Sequence, residues 1–245
     1  MSMTAAFIQI DPDEAARIQR DPSLAEALFE DPREATANLA AMSKMSEAMQ
    51  QRVRTAGPQM LAQALERFDP RIRESLEQRL GQSMASFAGG QGGGALLKLM
   101  QERQARAAGH MSMAANAARA RLSLEKEWHG IHYLLCGKSE PDPTALGQAV
   151  LGGTDLGDDD EGFSGYGPAR LINAGQVKKI SEALQSSSLE ADAGARFDPA
   201  AMKKLDLYPG FRESDREALL EGLRRLRNFY GEAAGAGRAI VTCIL

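Results

Sequence analysis

Six of the ten prolines in this 245-residue chain follow an aspartate: Pro12, Pro22, Pro32, Pro70, Pro143 and Pro199. Asp accepts hydrogen bonds from the unpaired N–H groups of a first helical turn. Proline at the first helical position loses a donor that would have had no partner there. Each Asp-Pro pair therefore predicts a helix start, and together they cut the chain into many short helices. Asp11-Pro12-Asp13-Glu14 also sets Glu14 three residues after the cap, the register of a capping box. Two runs escape this helical punctuation. Ala6 to Ile10 reads as a short strand, and Ala239 to Leu245, apolar and β-branched, reads as a buried one.

Residues 33–121 have a different texture. Met42, Met45 and Met49 fall at helical spacing, with Leu39 and Val53 extending the stripe, and Leu61, Leu65, Ile72, Leu76 and Leu80 continue it. The glycine run Gly89-Gly90-Gln91-Gly92-Gly93-Gly94 predicts a flexible hinge, which limited proteolysis would cut first. A methionine stripe most often fills an irregular core seam, and the same adaptability suits a binding groove. This segment holds 13 Lys/Arg against 7 Asp/Glu, whereas the rest of the chain holds 16 against 26. A basic segment on an acidic body points to self-docking or a charged partner. Nucleic acid is not expected, because only Phe68 and Phe87 interleave the basic residues there.

From Leu122 onward the pattern sharpens. Leu124, Trp128, Ile131 and Leu135 share one helical face. Asp142-Pro143 predicts a helix ending at Gly152-Gly153, and Thr154 to Gly167, with Asp158-Asp159-Asp160-Glu161 at its centre, predicts an exposed loop. Asn173 to Gln176 caps a helix carrying Val177, Ile180 and Leu184. Ser214-Asp215-Arg216-Glu217 has capping-box form before Leu219, Leu223, Leu226 and Tyr230. No run is long and apolar enough to span a bilayer, and the N-terminus lacks the basic n-region of a secretory signal. Cys136 and Cys243 lack framework spacing, so free thiols in a cytoplasmic protein are expected.

Several motifs in order carry a family resemblance. They are the strand-like start through Ile10, the Leu24 to Glu30 helix, Trp128-His129-Gly130-Ile131-His132-Tyr133-Leu134-Leu135, and Leu151-Gly152-Gly153. Gly165-Tyr166-Gly167-Pro168-Ala169-Arg170, Arg196-Phe197-Asp198-Pro199 and Leu207-Tyr208-Pro209-Gly210 follow. With these, the sequence resembles the YfbM-like family of uncharacterised bacterial proteins over about residues 1–32 and 122–245. The resemblance implies a single α+β domain, its terminal strands joined in a small sheet beside helices. It implies a mainly helical insertion at about 33–121, which the typical member lacks. It brings no catalytic residues. Cys136 departs from the family, which has a small polar residue there.

His129, His132 and Cys136 are the strongest chemical cluster. At about 100° per residue, His132 lies about 60° from His129 around a helix and Cys136 only about 20°. Imidazole and thiolate are zinc ligands, but single-helix zinc motifs favour an i, i+4 histidine pair, so no metal is assigned. General acid–base work by the histidines with Asp198, Tyr166 or Tyr208 is conceivable chemistry. However, no nucleophile elbow, phosphate loop or dinucleotide fingerprint accompanies it. The acidic run lacks the alternating ligands of a calcium loop. The expectation is a protein without a cofactor that binds another macromolecule, such as an immunity protein or antitoxin acting on a bacterial toxin. Its contact residues would be His129, His132, Tyr133, Tyr166, Arg170 and Tyr208. The alternative is a small hydrolase or transferase using His129, His132 and Tyr166. Trp128 is expected to be buried, with both histidines at its rim.

Overall fold

The two ends of the chain meet at the centre of one sheet. β1 (Ala5–Ile10) and β5 (Ala239–Ile244) pair antiparallel, Phe7 opposite Thr242 and Ile8 opposite Val241. β2 (Arg121–Ser123) adds to the free side of β1. β4 (Ala169–Ile172) adds to β5, and β3 (Thr154–Leu156) adds to β4. The order is β2-β1-β5-β4-β3, antiparallel throughout. The computed structural model describes residues 3–30, 109, 113–114, 119–157 and 167–245. The chain divides into two compact units, Met1–Phe29 with Ala117–Leu245, and Glu30–Asn116. In the second unit, Gly109, Met113 and Ala114 are helical. The methionine stripe, the Gly89–Gly94 hinge and the Asp158–Glu161 loop lie outside the described residues.

Helices of the first unit are α1 (Pro12–Arg20), α2 (Leu24–Phe29), α3 (Trp128–Cys136), α4 (Ala145–Leu151), α5 (Ala174–Leu184), α6 (Leu189–Arg196), α7 (Pro199–Lys204) and α8 (Arg216–Gly235). Residues directly opposite each other in an antiparallel ladder point to the same face. Phe7, Ile172 and Ile240 therefore share one face, and they belong to the core with Trp128, Ile131, Val177, Ile180, Leu184, Leu219, Leu223 and Leu226. Ile8, Leu171 and Val241 point the other way and are buried as well. Burial on both faces explains why β5, apart from Thr242, reads as an apolar run instead of an alternating one. Tyr230 of α8 is fully buried, and its hydroxyl donates to the Ala149 carbonyl at 3.0 Å.

The helix starts follow the aspartates with shifts. Asp198 caps α7, its Oδ1 accepting from Ala200 and Ala201 N–H at 2.9 and 3.2 Å. Asn173 and Gln176 form the capping box of α5. At Asp142-Pro143 the cap falls on Thr144, and α4 begins at Ala145. Asp142 instead accepts from the Thr144 N–H at 2.9 Å, from the Thr144 hydroxyl and from Lys138. The expected box at Ser214 is replaced by one at Arg212, whose N–H donates to Asp215 at 2.7 Å ahead of α8. Thr154–Leu156, expected in a loop, is the edge strand β3.

Candidate functional site

Leu124, deeply buried at the end of β2, leads through a 3-10 turn (Glu125–Glu127) into α3. The helix is buried almost all round: Trp128, Ile131, Tyr133, Leu134 and Leu135 all belong to the core. Gly137, at φ 75° in the left-handed region, ends it, its N–H donating to the Tyr133 carbonyl at 2.7 Å. The chain then turns through Lys138 to Thr144, where Asp142 is held by Lys138 and by Thr144. These two partners keep the Asp142 carboxyl well below the usual carboxylate range.

Both histidines of α3 grip this turn. The Nε2 of His129 lies 3.1 Å from the Ser139 carbonyl, and that of His132 lies 2.8 Å from the next carbonyl, Glu140. A carbonyl oxygen can only accept, so each Nε2 carries the proton. On the other side of the His129 ring, Tyr208 N–H donates to Nδ1 at 3.1 Å. His129 is therefore a neutral imidazole with both nitrogens committed to backbone. Its ring stacks on Trp128, centroids 4.7 Å apart and planes 7° from parallel. Burial is the main reason that both rings are shifted below the ordinary 6.5; at His129 the Ser139 carbonyl, then Glu140 and Asp206, partly offset it.

His132 is not at a rim: it is fully buried. The cause is its position, four residues before Cys136 and facing the Glu140 loop, which closes over it. Cys136 Sγ lies 3.4 Å from His132 Nε2 and donates to the His132 carbonyl at 3.2 Å. With Nε2 of each histidine donating to a carbonyl, the remaining lone pair is on Nδ1. At His129 it is taken by Tyr208 N–H, and at His132 it is buried without a hydrogen-bond partner among the described residues. Among the described residues, no group of three or more His, Cys, Asp or Glu side chains is placed to hold a metal ion. Cys136 and Cys243 are both free thiols, and burial pushes Cys243 up to about 12.

Two cavities open against the Trp128–His129 pair. The smaller, about 270 Å³, lies between that pair, the Ser139–Pro141 turn, Arg170 of β4 and Thr242 of β5. The larger, about 470 Å³, lies between the pair, Lys203 in the last turn of α7, Asp206 just after it, and the Leu207–Gly210 turn. Met3 borders both, its N–H donating to the Tyr208 hydroxyl at 3.1 Å. The structure thus brings Arg170 to the smaller cavity, Tyr208 to the larger and His129 to both, the two adjoining at Met3, Trp128 and His129 as halves of one cleft. Arg170 is fixed there by Asp155 at 2.9 Å and the Leu151 carbonyl at 3.2 Å. His132 and Tyr133 are buried and line neither cavity. Tyr166 lies outside the described residues. Met3, Thr242, Lys203 and Asp206 border the cleft without a sequence signal; only the Tyr208-Pro209-Gly210 turn marked its larger half in advance.

A five-stranded antiparallel sheet with a helical layer, and a cleft at a tryptophan–histidine stack, define an α+β protein. Residues 91–243 match the family described as "Domain of unknown function (DUF1877)", and the chain belongs to it. No curated protein matches the chain. Among solved structures it is similar to the crystal structure of YfbM, a protein of unknown function from Escherichia coli. The identity is 16%, 99% of each chain is covered, and the TM-score is 0.47. No described helix is long and apolar enough to cross a membrane.

Proposed function

We propose that this protein acts by binding another macromolecule at the Trp128–His129 cleft and does not turn over a substrate. The observation that carries this reading is the commitment of both His129 nitrogens, one to Ser139 and one to Tyr208. A general base needs a free lone pair within reach of a substrate proton. His129 has none to offer, and His132 is sealed from the cleft by burial. What the cleft does offer is a contact surface: a buried aromatic stack, Arg170 at one end, and Lys203 with Asp206 at the other. Leu205, 41% exposed, stands beside the last two as an apolar contact. One concrete form is an immunity protein or antitoxin that blocks a bacterial toxin, a reading supported by the acidic balance outside residues 33–121.

The test is affinity capture from native lysate with the full chain as bait, beside a Leu205→Asp, Lys203→Glu variant. A defined protein should be retained by the wild type, with at least about tenfold less on the variant, as expected when a central contact is lost. If that protein is toxic when expressed alone and harmless when co-expressed, the immunity reading stands. Capture indifferent to the variant, or turnover of a small molecule by the purified chain, overturns the proposal.

A further inference from the structure

The bonds of His129 depend on its charge in a one-sided way. Its Nε2–H donates to Ser139 whether the ring is neutral or charged, but Nδ1 accepts from Tyr208 only while neutral. In the imidazolium, Nδ1–H and Tyr208 N–H are two donors aimed at each other, so one of them must move. The ring has reason to stay, because a cation gains by stacking on the indole of Trp128 and the Ser139 bond persists. The turn has less reason. Its internal bond, Gly210 N–H to the Leu207 carbonyl at 2.7 Å, travels with it. The Tyr208 hydroxyl is tied to Met3 N–H at 3.1 Å, in the segment before β1 and not in α3. Leu207 N–H to the Met202 carbonyl at 3.2 Å anchors only the base of the turn. That turn forms one wall of the 470 Å³ cavity.

From this geometry we infer that His129 is a protonation latch: acidification detaches the Tyr208–Gly210 turn from α3 and opens the larger cavity. Several charged or titratable groups surround the ring. Glu140 belongs to the Ser139 turn, Asp206 and Lys203 stand beside the latch, and Tyr208 is part of it. Arg170 comes from β4, Cys243 from β5, and His132 and Cys136 from the ring's own helix. Glu140 and Asp206 favour the cation and burial opposes it, with burial prevailing. Arg170 is already neutralised by Asp155. The latch therefore stays closed at neutral pH and releases below the ordinary histidine value of 6.5.

Nuclear magnetic resonance of the ¹⁵N-labelled full chain, titrated from about pH 8 to about pH 5, spans this range. The Tyr208 amide should shift with the same midpoint as the His129 ring nitrogens, below 6.5, while β1 and β5 amides stay in place. Fluorescence of Trp128, the single tryptophan, should change at that midpoint as the stacked ring becomes charged. A His129→Gln variant, whose amide can accept and donate without titrating, should abolish the Tyr208 response. If that variant does not fold, the wild-type midpoints decide alone. The latch is wrong if His129 titrates while Tyr208 stays still, or if Tyr208 follows the His132 midpoint. It is equally wrong if His129 stays neutral throughout, or if the whole protein unfolds first. No partner enters these readouts, so the latch and the binding proposal fail separately.

Discussion

Trp128 is 7% exposed, belongs to the core and stacks on His129, yet its indole Nε1 has no acceptor among the described residues. The ring's volume is therefore what the fold uses, and its N–H adds nothing. Trp128→Ala should cost roughly 3–5 kcal/mol through the lost apolar surface and the cavity left behind. Trp128→Phe keeps an aromatic face and removes the orphaned donor, so its cost should stay near about 1 kcal/mol. Urea unfolding of the two variants separates volume from hydrogen bonding, and equal losses would refute the assignment. His132 behaves differently from a rim residue. It is fully buried and donates to Glu140 at 2.8 Å, so His132→Ala should cost about 1–3 kcal/mol, not a few tenths.

Between neighbouring elements, the closest approach to exploit is at the start of α4. A Cβ placed on Gly147 would lie 2.4 Å from the Asp142 Cβ and 2.7 Å from its carbonyl oxygen. That backbone cannot yield easily, because Asp142 is tied to Thr144 and Lys138. Gly147→Ala should lose about 1–3 kcal/mol from overpacking, more than the roughly 1 kcal/mol that helix propensity returns. A thermal melt at or above the wild-type midpoint would show that the turn is looser than its bonds imply. The same region shows what sequence can and cannot reveal. Both terminal strands and the α3, α5 and α8 faces were legible, because each buries a regular apolar pattern. The Asp198 cap was legible too, since nothing nearby competes for it. At Asp142-Pro143-Thr144 two capping residues stand close together, and only the fold decides that Thr144 caps while Asp142 braces the turn. β3 is three residues long and exists through its pairing with β4, which no local pattern announces. The cleft was half legible: the Trp-His motif stood out, but its bonds run to the carbonyls of Ser139 and Glu140 and the N–H of Tyr208. Backbone partners leave no signature in residue identity.

Among the described residues, the two neutral histidines of α3 set the direction of stability with pH in the range where histidines titrate. Burial lowers both below the ordinary 6.5, so as pH falls through that value the unfolded chain takes up protons before the folded one. Stability then falls with pH, because it rises wherever the unfolded state binds more protons. The carboxylates act in other windows. Glu14, lowered by Arg119 and the Asp11 N–H against an opposing burial effect, loses its contribution only below its ordinary value of 4.5. Asp142 does so lower still. Glu127 is raised above 4.5, chiefly by burial, so acidification through that range works the opposite way for it. Between about pH 7.5 and about pH 5.5 the histidines should therefore dominate, and the melting temperature should drop as the solution is acidified. Replacing both by glutamine should flatten that slope, even where it lowers the melting temperature at neutral pH. A melting temperature that rises on acidification across this range would mean that at least one ring gains a partner for its charge. The best placed such partners are Glu140 and Asp206 at His129, so Glu140→Gln and Asp206→Asn in that background would show which carboxylate supplies it.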